Sequence, residues 1–267
     1  MKDKIFLLQT TNNGLLELEA NVVANLCAAE NRWNERSPHD DGSRYVAVNA
    51  SIDEVANIGT DTLNNAVPVG SVEFCNAVAK AQGAGAIRAV NIPPELRNWR
   101  YTCRKVTVCG NFEELKGFVH DGKYFVKPAD TPKRFEAIEY DGSSYALNYI
   151  RQAGGPYFIS ESIRNEILSE WRVFFFKGRI VDIRPYSINS WIMPKKRRVE
   201  EMLQDWKTNV PPAGTLDVAV VENGQSHFTT IIEAHPLIAC GLYGCEDPAL
   251  LRMLRQAWAW HRKESSK

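Results

Sequence analysis

Apolar residues fall in short runs through the first hundred positions, with longer mixed stretches between them. Residues 5–9 (IFLLQ) form a strand-like run, 15–29 carry a helical pattern, and 45–48 and 66–69 are again short and β-prone. Gly70-Ser71 precedes a second helical pattern over 72–82, with Ser71 placed as N-cap and Gly83 just past the end. Strand then helix, repeated, predicts a small α/β layer with parallel strands. Pro93-Pro94 marks a boundary.

Beyond it the pattern changes. Residues 105–109 predict a strand, and Asn111 with Glu114 forms a capping box opening a helix to about residue 120. Asp121-Gly122 predicts a turn, and 124–126 and 157–160 predict strands. Two long hairpins follow, 170–186 and 215–235, separated by what reads as a basic loop, and 248–261 is helix-like. The expected organisation is an N-terminal α/β domain over 1–100 and an α+β domain over 101–267.

Strand alternation sorts the hairpin side chains. Trp171, Val173 and Phe175 share one face of the first arm, and Glu170, Arg172 and Phe174 the other. A three-residue loop around Lys177-Gly178 sets Arg172 on the same face as Asp182 and Arg184, whereas a two-residue loop splits the arginines. In the second hairpin an odd loop brings Asp217, Glu233 and His235 together, and an even one does not. Paired arginines suit polyphosphate or carboxylate groups, which guanidinium forks bind bidentately. Facing carboxylates repel unless a cation or proton lies between them, and Mg²⁺ held with substrate phosphates resolves this. Lys127, at the end of a buried-looking strand, either snorkels or presents its ammonium to a phosphate. The plainer reading of both hairpins is a solvated, salt-bridged sheet face.

Composition narrows the classes. Among 267 residues, 44% are hydrophobic and 24% charged, ordinary globular values. Lys plus Arg and Asp plus Glu are 32 each, so there is no global basic field to attract nucleic acid or membrane. No apolar stretch reaches the length of a membrane span, and the apolar run after the basic start is too short for a signal peptide. Six cysteines without a CxxC pair argue against a disulfide framework or a structural zinc site. A cytoplasmic protein without a membrane partner is expected.

In order, Tyr124-Phe-Val-Lys-Pro128, Ser160-Glu-Ser-Ile163, Trp171-Arg-Val-Phe174, Leu216-Asp-Val218 and Ile232-Glu-Ala-His-Pro236 resemble the ATP-grasp superfamily. The likeness covers about residues 104–245. Arg172 and Arg184 beside Lys127 look most like a small bacterial and phage clade named for two arginines and a lysine. The resemblance implies an ATP-grasp fold preceded by a small, pre-ATP-grasp-like α/β domain. It implies that Lys105 and Lys127 contact ATP phosphates, that Glu161 and Ile163 border the adenine, and that Arg172 and Arg184 face the γ-phosphate or an acyl phosphate. Asp217 and Glu233 are then Mg²⁺ ligands.

Two departures stand out. The phosphate-covering loop, usually glycine-rich, is Ala129-Asp-Thr-Pro-Lys-Arg-Phe-Glu136 here, so Lys133 or Arg134 is the expected cover. The usual metal-binding Asn is His235, which points to a place behind the metal's direct ligands or to Mn²⁺. The implied activity is an ADP-forming ligase that activates a carboxylate as an acyl phosphate for attack by an amine or similar nucleophile, on a small-molecule or peptide substrate. Gly70 and Ser71, at a helix start, and Lys195, Lys196, Arg197 and Arg198, taken as a lid over the site, are the candidate substrate contacts. The alternatives are a nucleotide-binding module without turnover, and a nucleic-acid-binding protein using the basic tract with Trp191 as stacking partner.

Overall fold

A computed structural model describes residues 3–36, 44–119, 123–163, 166–186, 191–224 and 226–265. In chain order the elements are β1 (Lys4–Gln9), α1 (Leu18–Arg36), β2 (Tyr45–Ala50), α2 (Thr60–Asn65), β3 (Ala66–Val69) and α3 (Val72–Ala81). Then come α4 (Trp99–Thr102), β4 (Val106–Cys109), α5 (Phe112–Phe118), β5 (Tyr124–Pro128), β6 (Ile138–Tyr140), α6 (Ser144–Ala153) and β7 (Tyr157–Glu161). The chain continues through β8 (Ile167–Phe176), β9 (Arg179–Pro185), α7 (Lys196–Asp205), β10 (Ala213–Asn223), β11 (Ser226–His235) and α8 (Leu250–Ser265). The turn expected at Asp121-Gly122 lies outside the described residues.

The chain forms two compact units, one of residues 1–87, 211–214 and 236–267, the other of 88–210 and 215–235. A single boundary at residue 100 was expected; in space the C-terminal segment belongs with the first unit. The reason is the wide apolar stripe of α8, on which Leu250, Leu251, Met253, Leu254, Ala257 and Trp258 are all buried. That stripe packs on α1 and β3, and Trp258 Nε1 donates to Gln82 Oε1 at 3.0 Å.

In the first unit the sheet order is β2-β1-β3, all parallel. Phe6, Leu7 and Leu8 are wholly inaccessible, as a central parallel strand covered on both faces requires. Ser71 caps α3, accepting from the Phe74 amide. Its own amide donates to Gln9 Oε1, and a Cβ on Gly70 would lie 2.5 Å from Gln9 Cβ. Glycine is therefore required by the close approach of Gln9. Both residues have local structural work at the start of α3.

The second unit contains two four-stranded sheets, β4-β7-β5-β6 and β11-β10-β8-β9. The capping box is realised at α5: Asn111 Oδ1 accepts from the Glu114 amide, and the Glu114 carboxylate accepts from the Gly110 amide. In the larger sheet, β8 and β10 are central. Trp171, Val173 and Phe175 of β8 and Leu216, Val218 and Val220 of β10 bury in one cluster with Val199, Met202 and Leu203 of α7.

Both hairpins solve the parity problem in the same way. Phe176 pairs with Arg179 across a two-residue turn, Lys177-Gly178, in which both φ angles are positive. The register then shifts between Phe174 and Phe175, so Phe174 faces Asp182 and Arg172 faces Arg184. Asn223 likewise pairs with Ser226, and a shift between Asp217 and Val218 sets Asp217 opposite Glu233. The three-residue loop expected from the sequence is thus replaced by a two-residue turn plus a one-residue bulge. A bulge adds the same odd residue and keeps the charged faces intact.

Candidate functional site

The side chains converge from four strands. Lys127 stands near the end of β5, where it pairs in register with Phe158 and its ammonium lies 5.1 Å from that ring's centroid. Its Nζ reaches Glu233 Oε1 at 2.6 Å, joining the smaller sheet to β11. Arg172 of β8 meets Asp217 of β10 through a bidentate pair, Nε to Oδ1 at 2.8 Å and Nη2 to Oδ2 at 2.7 Å. The two side chains are only 3% and 10% exposed. His235 Nε2 lies 3.4 Å from Asp217 Oδ2 and 3.6 Å from Glu233 Oε2. Lys127, Arg172, Asp217, Glu233 and His235 therefore form one connected polar cluster.

Burial opposes ionisation of Asp217, but the hydrogen bonds from Arg172 and His235, with their charges, outweigh it and hold its carboxyl below the ordinary range. Glu170, on the same strand face as Arg172, behaves oppositely. Burial first, and the Asp217 carboxylate second, push its carboxyl up.

Other expected site residues stand further out. Arg184 is directly opposite Arg172, with its Nε on Asp182 Oδ2 at 2.7 Å and its side chain 37% exposed. Glu161 ends β7 and accepts from the Lys105 amide at 2.9 Å, so Lys105, Glu161 and the half-buried Ile163 border one end of the small sheet.

The glycine-free loop holds its shape by other means. Asp130 accepts from the Thr131 amide, and Lys133 takes a positive φ of 57°. Arg134 binds Asp130 at 3.2 Å and donates to the carbonyls of Ala153, Gly154 and Pro156 at 2.8–3.0 Å. Its guanidinium is committed to the C-terminal end of α6, so of the two expected phosphate covers Lys133 is the exposed one.

The basic tract is not a loop. Lys195 precedes α7, and Lys196, Arg197 and Arg198 form its first turn. Residues Val199, Met202 and Leu203 anchor α7 in the cluster with Trp171, Val173 and Leu216, on the sheet face opposite Arg172 and Asp217. The charges are answered locally: Lys196 by Glu200, Arg197 and Arg198 by Glu201. A lid over the site is corrected to a helix backing the sheet. The signal was present, since Val199, Met202, Leu203 and Trp206 follow helical spacing.

A family model for the ATP-grasp domain, R2K clade family 2, matches residues 101–253. The chain belongs to that ATP-grasp family. No curated protein matches it. Solved structures share the ATP-grasp fold at low identity. A RimK domain ATP-grasp protein from Sphaerobacter thermophilus is 14% identical, with a TM-score of 0.51 over 97% of this chain and 100% of that one. D-alanine–D-alanine ligase from Bacillus anthracis is 12% identical, with a TM-score of 0.50 over 99% of each chain. An N5-carboxyaminoimidazole ribonucleotide synthetase in complex with ADP is 11% identical, with a TM-score of 0.51 over 91% of this chain and 71% of that one.

In this ATP-grasp domain the cluster sets two carboxylates and an imidazole side by side, the carboxylates paired with Lys127 and Arg172. Among the described residues, no three His, Cys, Asp or Glu side chains are grouped to hold a metal by themselves. A cation here would lean on ligand phosphates as well, which is how Mg²⁺ is ordinarily held. Tyr186, outside the five motifs, also reaches the cluster. Alternation from Arg184 places Tyr186 on the same face, and its hydroxyl lies 2.6 Å from Arg172 Nη2 and 3.3 Å from Asp217 Oδ2. Among the described residues no helix is long and apolar enough to cross a membrane.

Proposed function

We propose that the chain is an ATP- and Mg²⁺-dependent, ADP-forming ligase that activates a carboxylate as an acyl phosphate. Membership of the ATP-grasp family supports the nucleotide. The observation that carries the reading is the pair of ion contacts, Lys127 with Glu233 and Arg172 with Asp217, meeting at one place on four strands. Without ligand, the groups suited to phosphate neutralise the groups suited to a cation. An ATP–metal complex brings both opposite charges at once, so each side chain exchanges one counter-charge for another.

In this reading Lys127 binds and orients the transferring phosphoryl group, with Lys105 further along the nucleotide and Arg184 at the open side. Arg172, paired with Asp217 until ligand arrives, supplies positive charge where negative charge develops, which acts most strongly in a water-poor site. Glu233 and Asp217 would hold Mg²⁺, with His235 beside them, and bound Mg²⁺ supplies neutralisation of phosphate charge. The substrate carboxylate oxygen bonds to the γ-phosphorus as the bond to the β-phosphate oxygen breaks and ADP leaves. An amine or similar nucleophile then bonds to the acyl carbon, phosphate departs and the nucleophile gives up its proton. Of the solved structures that share the fold, one is named a ligase and another a synthetase.

Incubating the protein with ATP, Mg²⁺ and pooled carboxylic acids and amines tests this. ADP release that needs the pool and disappears in Lys127→Ala is expected. Tight nucleotide binding without ADP release from any pool would replace the ligase with a non-catalytic binding module.

A further inference from the structure

We propose that Tyr186 is a positioning residue that sets the direction of the Arg172–Asp217 pair and through it the metal-dependent part of nucleotide affinity. This rests on the ligase reading above and adds to it a residue outside the five motifs.

Tyr186 stands at the end of the β8–β9 hairpin. It is the first residue past β9, and its amide donates to the Glu170 carbonyl at 2.7 Å, continuing the ladder one step beyond the strand. Arg172 faces Arg184 in register, so Tyr186 is the diagonal neighbour of Arg172 on the same face, within reach of a long side chain.

Its polar end and its ring meet the same guanidinium. The hydroxyl accepts from Arg172 Nη2 at 2.6 Å, and the guanidinium carbon is 4.9 Å from the ring centroid. The same hydroxyl donates to Asp217 Oδ2 at 3.3 Å. A phenol has one proton and two lone pairs, so it can serve the cation and the anion together. It is the third group, after Arg172 and His235, to face Oδ2, an oxygen suited to a cation.

Exposure separates this role from a packing role. Tyr186 is 39% exposed, whereas the pair it touches is nearly inaccessible. A residue so open contributes little to the core, yet its hydroxyl is directed at the most buried charges of the site. Removing that hydroxyl leaves Arg172 one hydrogen bond short and takes one donor from Oδ2, which keeps its bond from Arg172 Nη2. Both changes fall on the groups that a phosphate-bound cation would meet.

The test is calorimetry of a non-hydrolysable ATP analogue with and without Mg²⁺, on the wild type, Tyr186→Phe and Tyr186→Leu, with melting temperatures alongside. The ratio of the Kd without Mg²⁺ to that with it should fall about tenfold in Tyr186→Phe, the scale of one hydrogen bond to a charged group. The melting temperature should fall only slightly, because water can reach the half-exposed position in place of the hydroxyl. Tyr186→Leu, which also loses the ring over the guanidinium, should lower the ratio further. An unchanged ratio in Tyr186→Phe overturns the proposal. So does an equal loss of affinity with and without Mg²⁺ accompanied by a large fall in melting temperature, which is the behaviour of a purely structural residue. A wild type that binds no analogue in either condition instead overturns the ligase reading, and this one with it.

Discussion

Asp217→Asn removes one negative charge from the least solvated part of the site while keeping the size of the side chain. In the wild type both Asp217 oxygens are held by the Arg172 fork, at 2.8 and 2.7 Å, with the side chains 10% and 3% exposed. The variant leaves the guanidinium buried without its counter-ion. Breaking a buried pair from one side costs about 3–5 kcal/mol, far above the range for an exposed pair. At about 2–4 °C per kcal/mol for a chain of this size, the melting temperature should fall by about 6–20 °C at neutral pH. The pH dependence has a definite sign. Because the folded state holds the Asp217 carboxyl low, its contribution is present above the ordinary carboxyl value of about 3.9 and is lost as pH falls further. The two melting curves should therefore approach each other in acid. Replacing both partners by apolar groups, Arg172→Met with Asp217→Leu, should recover most of the lost stability and none of the nucleotide binding. Thermal unfolding across pH is the assay. A single variant melting within about 2 °C of the wild type at neutral pH would refute the reasoning, because it would mean that the pair contributes under about 1 kcal/mol.

Glu170→Gln should raise the melting temperature at neutral pH. The Glu170 carboxyl is pushed up by burial and by Asp217, so its favourable contribution is complete below the ordinary value of about 4.3 and is lost as pH rises; thermal melts at several pH values check this. Changing Lys195, Lys196, Arg197 and Arg198 to Ala together should leave analogue affinity unchanged, because α7 lies on the far face of the sheet; calorimetry on that variant reads it directly.

Much of the fold was legible because it was written locally. The capping box at Asn111 and Glu114, the cap at Ser71, and the buried run Phe6-Leu7-Leu8 each fix their element from neighbours a few residues away. The grouping of Asp217 with Glu233 and His235 was legible from alternation, although by the wrong device. Bulges at Phe174/Phe175 and Asp217/Val218 supply the odd residue that was assigned to the turns. Helix α6 was not read, although Ala146, Tyr149, Ile150 and Ala153 follow helical spacing, the last three packing on one core. The role of Arg134 was hidden because its three carbonyl partners, at Ala153, Gly154 and Pro156, are about twenty positions away. The mutual pairing of Arg172 and Asp217 was hidden for a related reason: it joins β8 to β10 across the sheet, a neighbour relation that alternation within one hairpin does not encode.

The central claim is that Lys127 and Glu233, with the Arg172–Asp217 pair, receive a nucleotide together with its cation. Calorimetry with a non-hydrolysable ATP analogue on the wild type and Lys127→Ala, each with and without Mg²⁺, tests it most directly. The account predicts binding in the wild type that Mg²⁺ strengthens at least about tenfold, roughly one charge-assisted contact, and loss of that binding in the variant. A wild type that binds in neither condition, or a Lys127→Ala variant that binds as the wild type does, would contradict it.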